Sequence, residues 1–94
     1  MLEIFVSDKC PTCKEQLEIL DSLHISYRII NAGSPEFNNH ELKEYVHIVP
    51  FIAVREIEGK LTYAKQGFHD EAQIKTALRS AIPPFNLKKA KSEA

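Results

Sequence analysis

The chain has 94 residues and a mass of 10.7 kDa, of which 44% of residues are hydrophobic and 27% charged. That is the size and make-up of one ordinary globular domain, and its longest apolar runs fall far short of the ~20 residues a membrane helix needs. The net charge of −1, from 12 Lys and Arg against 13 Asp and Glu, lacks the basic excess of a general nucleic-acid binder.

Charge is not even along the chain. Residues 83–94 carry Lys88, Lys89 and Lys91 against Glu93, so the last stretch is basic and the rest acidic. The division expected is one domain over 1–82 followed by a solvated basic tail over 83–94. At the amino terminus Glu3, Asp8 and Lys9 interrupt the apolar residues, which is not a signal-peptide pattern. The expectation is a cytoplasmic chain in a reducing compartment. There, two cysteines spaced C-x-x-C point to redox chemistry or a metal rather than to structural staples.

In chain order, Leu2 to Ser7 is short, apolar and β-branched, as a buried central strand would be. Asp8-Lys9-Cys10-Pro11-Thr12-Cys13 follows, with Pro11 suited to the first turn of a helix. Leu17, Ile19, Leu20 and Leu23 continue as a helical stripe, which predicts a helix from Pro11 to about His24. Ile25 to Asn31 predicts a second strand. Ser34 then caps a helix expected from Pro35 to about Tyr45. Phe51 to Ile57 and Leu61 to Ala64 form a hairpin around Glu58-Gly59-Lys60. A last helix starts at His69 or Asp70, carries Ile74, Ala77, Leu78 and Ile82 on one face, and ends at Pro83-Pro84. Phe5, Leu20, Ile52 and Leu78 are expected in the core. The order β-α-β-α-β-β-α predicts an α/β fold, a mixed four-stranded sheet with helices on both faces.

The placement of the cysteines carries the chemistry. Cys10 ends the first loop and opens the first helix, where free N–H groups and the helix dipole favour a thiolate. Lys9 and Lys14 push the same way and Asp8 pushes against them. The expected balance is a Cys10 pKa below the free value of about 8.5. Cys13 lies one turn later, within reach of Cys10 and less exposed. Cys10 is therefore the expected nucleophile and Cys13 the resolving thiol. Two thiols that only pack together fit this placement less well, and C-x-x-C is half of a zinc site whose other half is missing, since His24, His40, His47 and His69 show no zinc spacing.

From Leu2 to about Arg79 the chain resembles the glutaredoxin branch of the thioredoxin superfamily. Three motifs carry the resemblance: Cys10-Pro11-Thr12-Cys13 for the common C-P-Y-C, Ile48-Val49-Pro50 for T-V-P, and Gln66-Gly67-Phe68 where a Gly-Gly turn is usual. The resemblance implies a thioredoxin/glutaredoxin-like fold and a cis Val49–Pro50 bond that turns the Val49 backbone toward Cys10, ready for strand-like pairing with substrate. It implies a Cys10–Cys13 disulfide in the oxidised form, and a Pro50 that shields the thiolate from metals. The substrate groove it implies involves Lys9, Thr12, Val49, Pro50, Gly67, Phe68, His69 and Asp70, with Asp70 foremost a helix cap. Lys43 and His47 are better read as solvated surface than as basic contacts.

The function expected from this resemblance is a monomeric dithiol–disulfide oxidoreductase acting on disulfide-containing proteins, with no bound cofactor and glutathione as reductant. Related dithiols span roughly −270 to −200 mV. Gln66 and Ile48 depart from the glutathione-binding pattern, and Gln66-Gly67-Phe68 is close to the Ser-Gly-Phe of small redoxins that take electrons from thioredoxin reductase and pass them to ribonucleotide reductase. The same residues also admit a metal or iron–sulfur module that uses Cys10 as a ligand, and a binding module without turnover.

Overall fold

The computed structural model describes residues 2–56 and 58–79. Their elements are β1 (Leu2–Val6), α1 (Pro11–Ser22), β2 (Tyr27–Asn31), α2 (Pro35–Asn38), β3 (Phe51–Arg55), β4 (Leu61–Gln66) and α3 (Glu71–Arg79). The expected tail, Ile57, Ile82 and the Pro83-Pro84 stop lie outside the described residues.

The four strands form one mixed sheet in the order β2-β1-β3-β4. β1 runs parallel to β2 and antiparallel to β3, and β3 runs antiparallel to β4. Strand alternation sorts the core into two layers. Leu2, Ile4 and Val6 of β1 join Ile52 and Val54 of β3 beneath Cys13 and Leu20 of α1 and Ile74 and Ala77 of α3. Phe5, Phe51 and Ala53 face the other way, toward Ile30, Leu42 and Leu61, with Phe37 of α2 packed against them. The sheet thus has helices on both faces. Burying each of the fully enclosed Leu and Ile side chains contributes about 1.5–3 kcal/mol over leaving it in water.

α1 ends two residues before His24. Ile25 N–H donates to Leu20 O at 3.1 Å and His24 N–H to Asp21 O at 3.0 Å. His24 itself takes φ = 56°. This pair of bonds around a left-handed residue closes the helix, with His in the place usually held by Gly.

α2 is much shorter than expected. Ser34 does cap it, its Oγ accepting from Phe37 N–H at 3.2 Å, but the helix stops at Asn38 rather than near Tyr45. Asn38 and Asn39 are weak helix formers. His40 then offers the backbone a different partner, its Nδ1 accepting from Leu42 N–H at 3.0 Å while its Nε2 lies 3.3 Å from Glu3 Oε1. The turn so formed drops Leu42 into the core, fully buried.

β4 and α3 also depart from expectation. β4 runs to Gln66 instead of Ala64, because Lys65 and Gln66 pair with Ile52 and Phe51. Leu78 is 41% exposed, not part of the core, since Ile74 and Ala77 alone set the inward face of α3. No helix among the described residues is long and apolar enough to cross a membrane.

Candidate functional site

The antiparallel pairing of β1 with β3 brings the end of one strand beside the start of the other, with Phe5 opposite Phe51. The Cys10 loop and the Val49-Pro50 loop therefore meet at one end of the sheet. Cys10 is the N-cap of α1 with φ = −124° and Pro11 occupies the first helical turn, as the sequence predicts. Cys10 and Cys13 form a disulfide across a Cα–Cα distance of 5.2 Å. Cys13 is 2% exposed, whereas Cys10 is only partly covered.

The Cys13 N–H donates to Cys10 Sγ at 3.0 Å. A helix-terminal N–H aimed at this sulfur is the arrangement that stabilises negative charge on it. Beside Cys10 is an open cleft of about 290 Å³ lined by Asp8, Lys9, Cys10, Pro11 and Lys14. Thr12 is exposed on the first turn of α1.

The Val49–Pro50 bond is cis, and the Val49 carbonyl oxygen lies 3.8 Å from Cys10 Sγ. The loop around it is held at several points. Gln66 Oε1 accepts from His47 N–H at 2.6 Å and from Ile48 N–H at 2.7 Å. Gly67 N–H donates to Pro50 O at 2.8 Å, with Gly67 at φ = 97°. Among the described residues the Val49 N–H has no partner, so Val49 presents an open N–H and a C=O directed at the disulfide.

The segment after β4 divides into covered and open residues. Phe68 is 39% exposed and the preceding-loop residue Ile48 is 61% exposed. His69 is 2% exposed and saturated by the chain itself. Its N–H donates to Gln16 Oε1 at 2.6 Å and its C=O accepts from Gln16 Nε2 at 2.9 Å. Its Nδ1–H donates to Gly67 O and its Nε2 accepts from the Tyr63 hydroxyl, both at 2.8 Å. The ring is thereby a neutral, buried support for the turn. Burial pushes the His69 pKa down, and burial pushes that of Tyr63 up. Asp70 is the helix cap the sequence predicts: Gln73 N–H donates to Asp70 Oδ1 at 2.8 Å and Asp70 N–H to Gln73 Oε1 at 2.9 Å.

Lys43 and His47 are exposed on the 40–50 segment. Sequence reasoning missed Gln16, fully buried on α1. The buried face of that helix is Cys13, Gln16 and Leu20, three and four residues apart, but an amide in that stripe carries no hydrophobic signal. Among the described residues no group of three or more His, Cys, Asp or Glu side chains is placed to hold a metal ion.

No protein-family model matches the chain, and no curated protein matches its sequence. Solved structures do resemble it. A point mutant of a thioredoxin-like protein superposes with a TM-score of 0.63 at 19% identity, over 83% of this chain and 99% of that one. A malarial protein gives 0.58 at 16% identity, over 86% and 94%. Thioredoxin 1 from the thermophilic eubacterium Thermosipho africanus gives 0.57 at 19% identity, over 83% and 89%. The fold is thioredoxin-like, and with the Cys10–Cys13 pair at its strand-to-helix turn it is compatible with a redox function.

Proposed function

We propose that the chain is a dithiol–disulfide oxidoreductase of glutaredoxin type that reduces protein disulfides or mixed disulfides with glutathione. The observation that supports this best is the asymmetric pair: Cys10 partly open and receiving the Cys13 N–H, Cys13 buried beneath it.

In the reduced protein the Cys10 thiolate attacks one sulfur of a substrate disulfide. That S–S bond breaks, the leaving thiolate takes a proton from solvent, and Cys10 is held in a mixed disulfide. The Cys13 thiolate then attacks Cys10 Sγ. The mixed disulfide breaks, the second substrate sulfur leaves as a thiolate that takes up the proton Cys13 has released, and the Cys10–Cys13 disulfide forms. Two electrons pass from the protein dithiol to the substrate, and glutathione or a reductase returns them. The open N–H and C=O of Val49 pair with the substrate backbone beside the reacting sulfur. Lys9, Thr12, Gly67, Phe68 and Asp70 border the approach, and Pro50 fixes the floor.

The test is NADPH consumption on a small disulfide, coupled once through glutathione and its reductase and once through thioredoxin reductase. Turnover through glutathione is expected. Turnover only through thioredoxin reductase would assign the chain to the redoxins that supply ribonucleotide reductase. Turnover through neither would remove the oxidoreductase reading.

A further inference from the structure

The loop that faces the disulfide is fixed on both sides of a single residue, and the fixing atom on one side belongs to a side chain. Gln66 closes β4, where its backbone lies opposite Phe51 at the start of β3. From that rigid position its Oε1 takes the N–H groups of both His47 and Ile48, at 2.6 and 2.7 Å. On the far side, Gly67 N–H holds Pro50 O at 2.8 Å. Between these anchors the Val49 N–H has no partner among the described residues, and the Val49 C=O lies 3.8 Å from Cys10 Sγ. His47 and Ile48 are exposed, so without Gln66 their N–H groups would turn to water and the peptide planes leading into Val49 would be free to rotate.

We propose that Gln66 is a positioning residue for polypeptide substrates: it orients Val49 so that a substrate backbone can pair there while its disulfide meets Cys10. This rests on the oxidoreductase reading above. Two consequences separate it from general support of the fold. A small disulfide with no peptide backbone has nothing to pair with Val49 and is indifferent to the loop. Only the oxygen of Gln66 is used toward the loop, so a carboxylate of the same length serves equally, whereas an apolar side chain of similar size or a shorter amide does not.

The experiment uses the full chain, reduced and freed of reductant, mixed in a single turnover with insulin or with bis(2-hydroxyethyl) disulfide, following formation of the Cys10–Cys13 disulfide. The expected result for Gln66→Leu and Gln66→Asn is a roughly tenfold drop of the insulin rate, the size of one lost hydrogen-bond contribution, with the small-disulfide rate within about twofold of the unaltered protein. Gln66→Glu should restore the ratio of the two rates. The Asn and Glu variants decide the matter even if Leu prevents folding. Equal losses on both disulfides, an unchanged ratio in the Asn variant, or a Glu variant as impaired as Asn would overturn the proposal. Failure of the unaltered protein to react with either disulfide would instead overturn the oxidoreductase reading on which it rests.

Discussion

Gln16 holds the backbone of His69 from both sides, accepting its N–H at 2.6 Å and donating to its carbonyl at 2.9 Å. The two residues are 53 positions apart, and both are buried. Because Gln16 lies one turn beyond Cys13, the bond pair ties the cysteine-bearing helix to the turn that follows β4.

Gln16→Leu keeps the volume and removes both bonds, leaving a buried N–H and a buried C=O without partners. Each such group costs about 1–3 kcal/mol. The expected outcome is a loss of about 2–6 kcal/mol in urea unfolding, seen as a lower midpoint with an unchanged slope.

The redox pair should respond asymmetrically. Cys10→Ser is expected to abolish thiol exchange by every route. Cys13→Ser is expected to stop dithiol turnover, accumulate mixed disulfides on Cys10 and spare exchange that needs glutathione alone. Mass spectrometry of protein treated with an oxidised peptide checks this. Equal loss in both variants by both routes would overturn the assignment.

Reactivity follows the same geometry. With the Cys13 N–H 3.0 Å from Cys10 Sγ and Cys13 itself enclosed, Cys10 of the reduced protein should alkylate with iodoacetamide at least tenfold faster than Cys13 at neutral pH. Peptide mapping after brief exposure measures the ratio. Lys14→Ala should slow Cys10 modestly, by removing a cation from its cleft.

His69 gives a pH dependence with a definite sign. Desolvation lowers its pKa in the folded protein below the ordinary value of 6.5, reinforced by Lys65 and opposed by the Gly67 carbonyl and Asp70. As pH falls through 6.5, the unfolded chain takes up a proton at this ring while the folded chain does not. Stability is thus fully present above that value and declines below it, until the folded ring also protonates. The urea midpoint should drop between pH 7 and 5.5, and His69→Gln should show a shallower drop.

His24 in the left-handed region closes α1 at a conformational cost of about 1–2 kcal/mol for a non-glycine residue. His24→Gly relieves that cost but loosens the unfolded chain. A net gain of up to about 1 kcal/mol in unfolding free energy is the expected result.

The parts of the molecule legible in the sequence were those decided locally. The strand-to-helix turn at Cys10-Pro11, the Ser34 and Asp70 caps and the short apolar run that opens at Phe51 need only neighbours in sequence. What escaped was decided across the fold. α2 ends early because His40 finds Leu42 N–H and Glu3 rather than a helical partner. Gln16 looks like a solvent-facing polar residue until the backbone of His69 is beside it. Gln66 looks like a missing glycine until its oxygen is seen to gather two N–H groups some 18 residues earlier in the chain. A buried or bridging amide leaves no hydrophobic signature, so periodicity alone passes over it.

The pairing of β1 with β3 has a consequence for how the site is assembled. Cys10 precedes Val49 by 39 positions, and the pairing of Phe51 and Ile52 with Phe5 and Ile4 is what sets the two side by side. A chain in which that pairing is not made holds both cysteines on their helix without the Val49 carbonyl beside them.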